Sequence, residues 1–347
     1  MIVSVKLLNA WKQVLELCNV KAGENIVFLL AEHSHPEHVA ASRTAATLLG
    51  ARSTSLELGE GVASGRMAGE STAYLGPTSL TGNRVALAAL KSAEMVVDLL
   101  GIDRGTEQQQ ILDAGIRILL VKEPPDIFMR LLPTADDKRR VLAAARKMKA
   151  ARSMRVESEA GTKLEVSLGQ YSCLVQYGYA DEPGRWDHCP TTFVASWPNE
   201  GSANGTVVLE HGSVIMPFKE YVREKIVLTI REGYIRKIEG GFDARYLRDY
   251  MEKFADPEGY AISHLGWGLQ RKAHWTNLGM YDKRQLAATE ARSAFGNFMF
   301  STGPNLEGGG TRNTPCHLDM PMQGCSVWLD GEPMVLREQV VPPDQRD

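Results

Sequence analysis

The stretch Asn25-Ile26-Val27-Phe28-Leu29-Leu30 decides the fold reading. It is too short for a helix, and its unbroken apolar run after Asn25 does not alternate. Such a run reads as a strand buried on both faces. Working outward, a helix pattern at about 3–18 precedes it, and another runs from Pro36 to about Leu49. A strand at 52–58 follows. A further helix begins near Asn83 and leads into Met95-Val96-Val97-Asp98-Leu99-Leu100. A helix near 106–114 then precedes the strand Ile116-Arg117-Ile118-Leu119-Leu120-Val121. Short apolar runs separated by helical patterns predict βαβ units and a parallel sheet, hence an α/β domain over residues 1–150.

The helix at 134–151 closes that domain. Thr134 is a plausible cap, with Asp136 and Asp137 in the first turn. After it the pattern changes to hairpins. Met154–Glu157 and Lys163–Val166 flank a Gly161-Thr162 turn, and Lys225–Ile230 and Tyr234–Ile238 flank Glu232-Gly233. One helix is expected at 243–255. Residues 151–347 therefore read as an α+β, β-rich domain, ending in a loose tail, Val341-Pro342-Pro343-Asp344. Gly59, Gly61 and Gly65 are spaced GxGxxxG and follow the second strand, so they read as a flexible loop and not as a dinucleotide fingerprint.

Composition bounds the partners. The chain has 347 residues, 44% apolar and 23% charged, with a formal charge of −3. That is ordinary for a two-domain enzyme and offers no electrostatic reason for nucleic acid or an anionic membrane. No apolar run approaches the ~20 residues of a membrane span. The N-terminus reads directly as an amphipathic helix, so no signal peptide is expected. Cys18, Cys173, Cys189, Cys316 and Cys325 are scattered without CxxC spacing. They support neither a disulfide framework nor a thiolate zinc site, and a reducing cytoplasm is the expected compartment.

Cys316-His317-Leu318-Asp319-Met320 is the most informative stretch. Residues two apart on a strand share a face, so His317 and Asp319 would aim an imidazole and a carboxylate at one point. His264, in Ile262-Ser263-His264-Leu265-Gly266-Trp267-Gly268, is the best third ligand, because the glycines permit close backbone approach. Two histidines and one carboxylate with open positions suit a catalytic Fe(II), and the same set could hold Zn²⁺ with a water. The plainer alternative is a buried histidine hydrogen-bonded to a neighbouring aspartate.

The motifs around these residues extend the reading. Gly169-Gln170-Tyr171 and Tyr177-Gly178-Tyr179-Ala180-Asp181-Glu182-Pro183-Gly184-Arg185-Trp186-Asp187-His188 resemble the bacterial 2,5-dihydroxypyridine 5,6-dioxygenases of nicotinate and nicotine degradation. Trp197-Pro198-Asn199-Glu200, Phe300-Ser301-Thr302-Gly303-Pro304-Asn305 and Thr314–Asp319 continue the resemblance, and Leu80-Thr81-Gly82-Asn83 carries it into the first half. It implies a fold related to thermophilic-type metallo-aminopeptidases. It places iron on His264, His317 and Asp319, and a substrate pocket at His188, Arg292 and Ser301. It also implies an N-heteroaromatic substrate, O₂ as co-substrate, opening of the C5–C6 bond to N-formylmaleamate, and a homo-oligomer, of which a hexamer is one form.

Two positions depart from the family pattern. The loop after the Val96 strand carries Asp103-Arg104 where the family has Leu-His, and Gln176 replaces a pocket glutamate. An arginine is no base near neutral pH, but it grips anionic oxygens well. Arg104 thus becomes a candidate catalytic or anion-binding group, and Asp103 and Gln176 become substrate-contact candidates for 2,5-dihydroxypyridine or a close relative such as a carboxylated hydroxypyridine. His33, His35 and His38 read as a solvated strand-to-helix loop with a supporting role near the pocket. His211 and His274 read as surface residues, and Trp186, Trp197, Trp267 and Trp275 as core by default. The competing functions are a metal-dependent aminopeptidase, against which Arg292 stands where a further ligand would be needed, and a non-catalytic binding protein.

Overall fold

A computed structural model of the chain describes residues 4–59, 77–102, 105–216 and 218–347. The first half alternates as its sequence predicts: α1 (Val5–Leu17), β1 (Asn25–Leu30), α2 (Pro36–Leu48), β2 (Arg52–Glu57), α3 (Arg84–Lys91), β3 (Met95–Asp98), α4 (Thr106–Asp113), β4 (Arg117–Val121), α5 (Pro125–Arg130) and α6 (Ala135–Ala150). Helix α6 starts on a capping box between Thr134 and Asp137. Strand β3 stops at Asp98, two residues earlier than expected. The Asp98 carboxylate accepts the backbone N–H groups of Leu100, Gly101 and Ile102, which turns the chain out of the sheet.

Past α6 come β5 (Ser153–Ser158), β6 (Lys163–Ser167), β7 (Cys173–Gln176), β8 (Trp186–Cys189), β9 (Phe193–Ser196), β10 (Asn204–Leu209), β11 (Val214–Ile215), β12 (Glu220–Tyr221), β13 (Ile226–Arg231) and β14 (Tyr234–Gly240). Helix α7 (Phe242–Glu252) precedes β15 (Ile262–Gly268), and α8 (Thr289–Ser293) precedes β16 (Phe298–Thr302). The chain ends with β17 (Leu318–Met322), β18 (Cys325–Leu329), β19 (Glu332–Leu336), β20 (Gln339–Val340) and α9 (Pro343–Arg346).

Three larger sheets organise these elements. The parallel sheet has the order β2-β1-β3-β4-β8. An eight-stranded antiparallel sheet runs β14-β13-β10-β6-β5-β18-β19-β20, and a five-stranded one runs β17-β16-β15-β9-β7. Strand β8 lies well past residue 150, yet it pairs in parallel with β4 and completes the first sheet. One apolar core likewise takes in Trp11 and Leu15 of α1 together with Leu265 and Trp267 of β15. The two halves are therefore welded at the strand that carries His188.

The C-terminal tail is not loose. Residues 343–346 form α9, whose Gln345 is fully buried and accepts from the Trp267 indole at 3.3 Å. Arg139 of α6 donates to the carbonyls of Asp344 and Asp347. Proline-rich polarity looked like fraying, but a tryptophan N–H buried under the sheet needed an acceptor, and the tail supplies it. Among the described residues, no helix is long and apolar enough to cross a membrane.

The histidine loop after β1 is only partly solvated. His33 is exposed, whereas His38 is 1% exposed on α2. Its Nδ1 accepts from the Trp11 indole at 2.9 Å, so its Nε2 carries the proton and donates to the Glu123 carbonyl at 2.9 Å. Burial lowers this imidazole to about 4, against an ordinary 6.5. Between those values the unfolded chain takes up a proton that the folded chain refuses, so stability is lost as pH falls from about 6.5 to 4, by up to ~3 kcal/mol. Urea unfolding measured stepwise from pH 7 to 4.5 should show this loss. His38→Gln keeps both hydrogen bonds without titrating, and its pH slope should be shallower.

Candidate metal centre and its cleft

Strands β15, β16 and β17 lie side by side in the five-stranded sheet, and their register assembles the site. Ser301 of β16 stands opposite Asp319 of β17. On the other side of β16 the ladder with β15 slips between Ile262 and Leu265, so Ser263 and His264 occupy a bulge facing Ser301. A bulge re-aims the side chain it contains. Here it turns His264 toward Asp319, and the Ser301 hydroxyl locks the bulge by donating to the His264 carbonyl at 2.7 Å. His317 sits just ahead of β17. It still reaches the same point as Asp319, as the two-residue spacing requires.

The resulting cluster is tight and almost dry. His264 Nε2 lies 3.1 Å from Asp319 Oδ1, and His317 Nε2 lies 3.3 Å from the same oxygen. The three residues are 2%, 6% and 7% exposed, so little of their surface meets solvent. His317 Nδ1 stands 2.6 Å from the Thr302 carbonyl. A carbonyl only accepts, so Nδ1 holds a proton, and in the neutral ring Nε2 presents the lone pair. Although close, His264 Nε2 and Asp319 Oδ1 make no hydrogen bond to each other or to anything else among the described residues. The two atoms are thus within reach of each other without the alignment of a good hydrogen bond. Buried electron-pair donors converging without a proton between them are what a cation satisfies.

The charge states agree. Burial pushes the His264 imidazole below its ordinary range, against the pull of Asp319. Burial also acts to raise Asp319, but His317, Arg292 and His264 hold its carboxyl well below the usual range. A neutral imidazole and an ionised carboxylate are the forms that bind metal. The donor set and its burial fit a single ion.

The centre forms one end of a cleft of about 780 Å³. The parallel sheet supplies another part of the lining: Ser34, Leu100 and Lys122 past the carboxyl ends of β1, β3 and β4, and Trp186 and His188 on β8. Open α/β sheets bind ligands at that edge. His188 and Trp186 are two apart on β8 and share the cleft face, their rings 6.3 Å apart. The contact between His188 and Asp187 is through the backbone: the His188 N–H donates to the carboxylate at 2.9 Å. Asp187 also accepts from Tyr177 and Gly178 and pairs with Arg185. Burial raises it to about 6 in spite of that arginine. Asp187 thus fixes the strand on which His188 sits.

The other expected residues divide. Arg292 of α8 lines the cleft, with Nε 3.4 Å from Asp319 Oδ2. Its neighbour Glu290 pairs with Arg130 instead, at 2.6 Å. Ser301 is fully buried and does not line the cleft, its hydroxyl being committed to His264. Gln176 is 1% exposed at the end of β7, outside the cleft lining, and both of its amide atoms lack hydrogen-bond partners among the described residues. Asp103, Arg104, Gly61 and Gly65 lie outside the described residues. His211 and His274 are exposed, as expected. Trp197 and Trp267 are core, whereas Trp186 lines the cleft. Lys219 and Leu286 line it as well and were missed. Nothing in their local sequence marks them, because the loops carrying them meet only in the fold. His33 and His35 also line it, and their position just after a parallel strand was the available signal.

The α/β scaffold and its His-His-Asp cluster define a mixed parallel and antiparallel protein with a candidate metal site at the cleft. A family model described as NicX: 2,5-dihydroxypyridine 5,6-dioxygenase matches residues 6–342. The curated 2,5-dihydroxypyridine 5,6-dioxygenase of Pseudomonas putida (strain KT2440) is 49% identical over 342 residues, covering 99% of this chain and 98% of that protein. A solved structure of 2,5-dihydroxypyridine dioxygenase from Pseudomonas putida KT2440 superposes with a TM-score of 0.95 at 48% identity, covering all of both chains. Wild-type AmpT from Thermus thermophilus, an aminopeptidase, superposes with a TM-score of 0.62 at 15% identity over 97% of this chain and 99% of its own, and shares the fold. This chain belongs to the 2,5-dihydroxypyridine 5,6-dioxygenase family.

Two glycines of β15 let the site close. A Cβ on Gly266 would fall 1.9 Å from the Val194 carbonyl oxygen of β9, and one on Gly268 would fall 2.3 Å from the Ser293 carbonyl group in α8. Both obstacles are backbone. Gly268→Ala should therefore push α8, and Arg292 with it, away from β15. A loss of about 1–3 kcal/mol is expected, typical of overpacking, and is read as a lower urea midpoint. An unchanged midpoint would show that α8 is not packed as described.

Proposed function

We propose that this protein is a non-haem Fe(II) dioxygenase that opens the C5–C6 bond of 2,5-dihydroxypyridine to N-formylmaleamate. The observation that carries the reading is the convergence of His264, His317 and Asp319 on one cleft-facing point, in a chain of this family. Two histidines and one carboxylate with the remaining directions open are the donor set of non-haem iron oxygenases. Bound there, Fe(II) would supply Lewis acidity toward the ring's 5-oxygen and the electron transfer to O₂.

The chain's own residues do the rest. Asp319 brings one negative charge to a dry site, offsetting a cation that two neutral imidazoles cannot. The Thr302 carbonyl keeps the proton on His317 Nδ1 and so keeps Nε2 available. Arg292, facing the cleft beside Asp319, offers guanidinium N–H groups to an anionic ring oxygen. His188 stands on the cleft wall that the parallel sheet supplies, where its imidazole is a candidate to take the ring hydroxyl's proton. Trp186 and Leu100 line that same wall with apolar surface against which a flat ring can pack. Arg104 and Asp103 are proposed as further contacts from the neighbouring loop, and Gln176 as a more remote one. Five free cysteines accord with a reducing cytoplasm as the place of action.

The aminopeptidase reading has less support. Among the described residues, His264, His317 and Asp319 form the one cluster of this kind. Arg292 brings a cation to the side of Asp319 where a second metal would need a ligand.

Anaerobic reconstitution with Fe(II), followed by a panel of 5-hydroxypyridines with and without a ring carboxylate, tests the proposal. O₂ uptake with loss of the ring's ultraviolet absorbance is expected for 2,5-dihydroxypyridine. Turnover of a carboxylated relative alone would move the substrate assignment. Peptide hydrolysis with zinc and no O₂ uptake would overturn the reaction class. His264→Ala, His317→Ala and Asp319→Ala should each lose bound iron, measured by elemental analysis, and fall to background turnover.

A further inference from the structure

Behind the cleft wall lies a carboxylate that the mechanism above does not use. Glu123 follows β4 and is 0% exposed. Its side chain faces no arginine or lysine at ion-pair distance among the described residues. It accepts three hydrogen bonds instead, all from one segment far away in sequence. Oε1 takes the Thr289 N–H at 2.6 Å and the Thr289 hydroxyl at 2.5 Å, and Oε2 takes the Ala287 N–H at 3.2 Å. An unpaired buried carboxyl is costly unless its lone pairs are filled, and this one is filled by the chain that leads into α8.

The residue between those two N–H groups, Ala288, has φ 58°. A left-handed alanine costs on the order of 1 kcal/mol, so the turn needs outside support. A carboxylate that bridges the N–H groups on either side of it provides that support. Two other ties act on the same stretch. Lys219 Nζ donates to the carbonyls of Lys283 and Leu286. Glu290 pairs with Arg130 and accepts from the His274 N–H and the Asn277 amide. Leu286 and Ala287 line the cleft, and Arg292 stands one helical turn beyond Ala288, beside Asp319. Of the three ties, the one through Glu123 comes from the end of the parallel sheet, which also presents Lys122 to the cleft.

From this arrangement we infer that Glu123 is a positioning residue for Arg292: it pins the left-handed turn at Ala288 and thereby sets where the guanidinium meets the substrate oxygen. It touches neither metal nor substrate, and the inference rests on the proposed ring-opening reaction. The substitution Glu123→Gln keeps the size. Its amide oxygen can still accept from Thr289, but its NH₂ then opposes the Ala287 N–H, donor against donor. Binding by Arg292 should weaken while the metal centre, built on β15 to β17, stays intact.

Four measurements test this. Iron content of Glu123→Gln should equal that of the wild type. Its KM for 2,5-dihydroxypyridine should rise about tenfold, the equivalent of one hydrogen bond, with a much smaller change in kcat. Anaerobic titration of the iron-loaded protein, followed by the ring's absorbance, should show the same loss in Kd without turnover. Because Glu123 acts through Arg292, adding Glu123→Gln to Arg292→Ala should produce no further loss of affinity, a non-additivity that a general weakening of the fold would not give. If Glu123→Gln fails to fold, Thr289→Val removes one of the three donors and should raise KM to a lesser degree. The inference is overturned if KM and Kd stay at wild-type values, if iron is lost, or if the two substitutions multiply. A wild-type enzyme that neither binds nor turns over 2,5-dihydroxypyridine would instead overturn the substrate reading.

Discussion

Asp319 holds a negative charge where water scarcely reaches, and much of the second half of the protein is arranged around that fact. A buried carboxylate must be met by charge or by hydrogen-bond donors. Here it is met by two imidazoles and the flank of a guanidinium, none of which gives it a well-aligned hydrogen bond at Oδ1. The neighbours hold it ionised. Bringing them together requires the ladder slip in β15, the hydroxyl of Ser301 behind it, and glycines at 266 and 268 that let backbones approach closely.

The parallel sheet supplies the other half of the site. Its strands end at the cleft, and β8 crosses over from the second half of the chain to bring Trp186 and His188 to that edge. The same edge contains a chain of buried polar contacts, from Trp11 through His38 to the Glu123 backbone, and from the Glu123 carboxylate on to Thr289. A site shared between two sheets needs such ties, because side chains that must act together are carried on separately folded layers.

The scaffold is shared with AmpT at low identity, and that likeness concerns fold alone. What separates the chemistry is local. An arginine stands beside Asp319, and His264, His317 and Asp319 form the one such cluster among the described residues, in keeping with function residing in sites grafted on folds. The tail shows how global context overrides local composition: a segment that reads as frayed is docked because Trp267 needs an acceptor under the sheet.

Much was legible in the residues alone. The apolar runs at 25–30, 95–98 and 117–121 announced a parallel sheet, since strands buried on both faces cannot be polar. The HxD pair announced a shared direction, because side-chain alternation is a local property of extended chain. What turns His264 toward His317 and Asp319 was not legible, since it depends on a bulge created by pairing with β16. Nor were the burial of His38, the docking of Gln345, the separation of Gln176 and Ser301 from the cleft, or the carboxylate of Glu123 beneath Ala288. Periodicity and spacing report what a segment does by itself. Register, bulges and the filling of buried lone pairs arise between segments far apart in sequence, 37 residues for Ser301 and His264 and 166 for Glu123 and Thr289, and only the tertiary structure decides them.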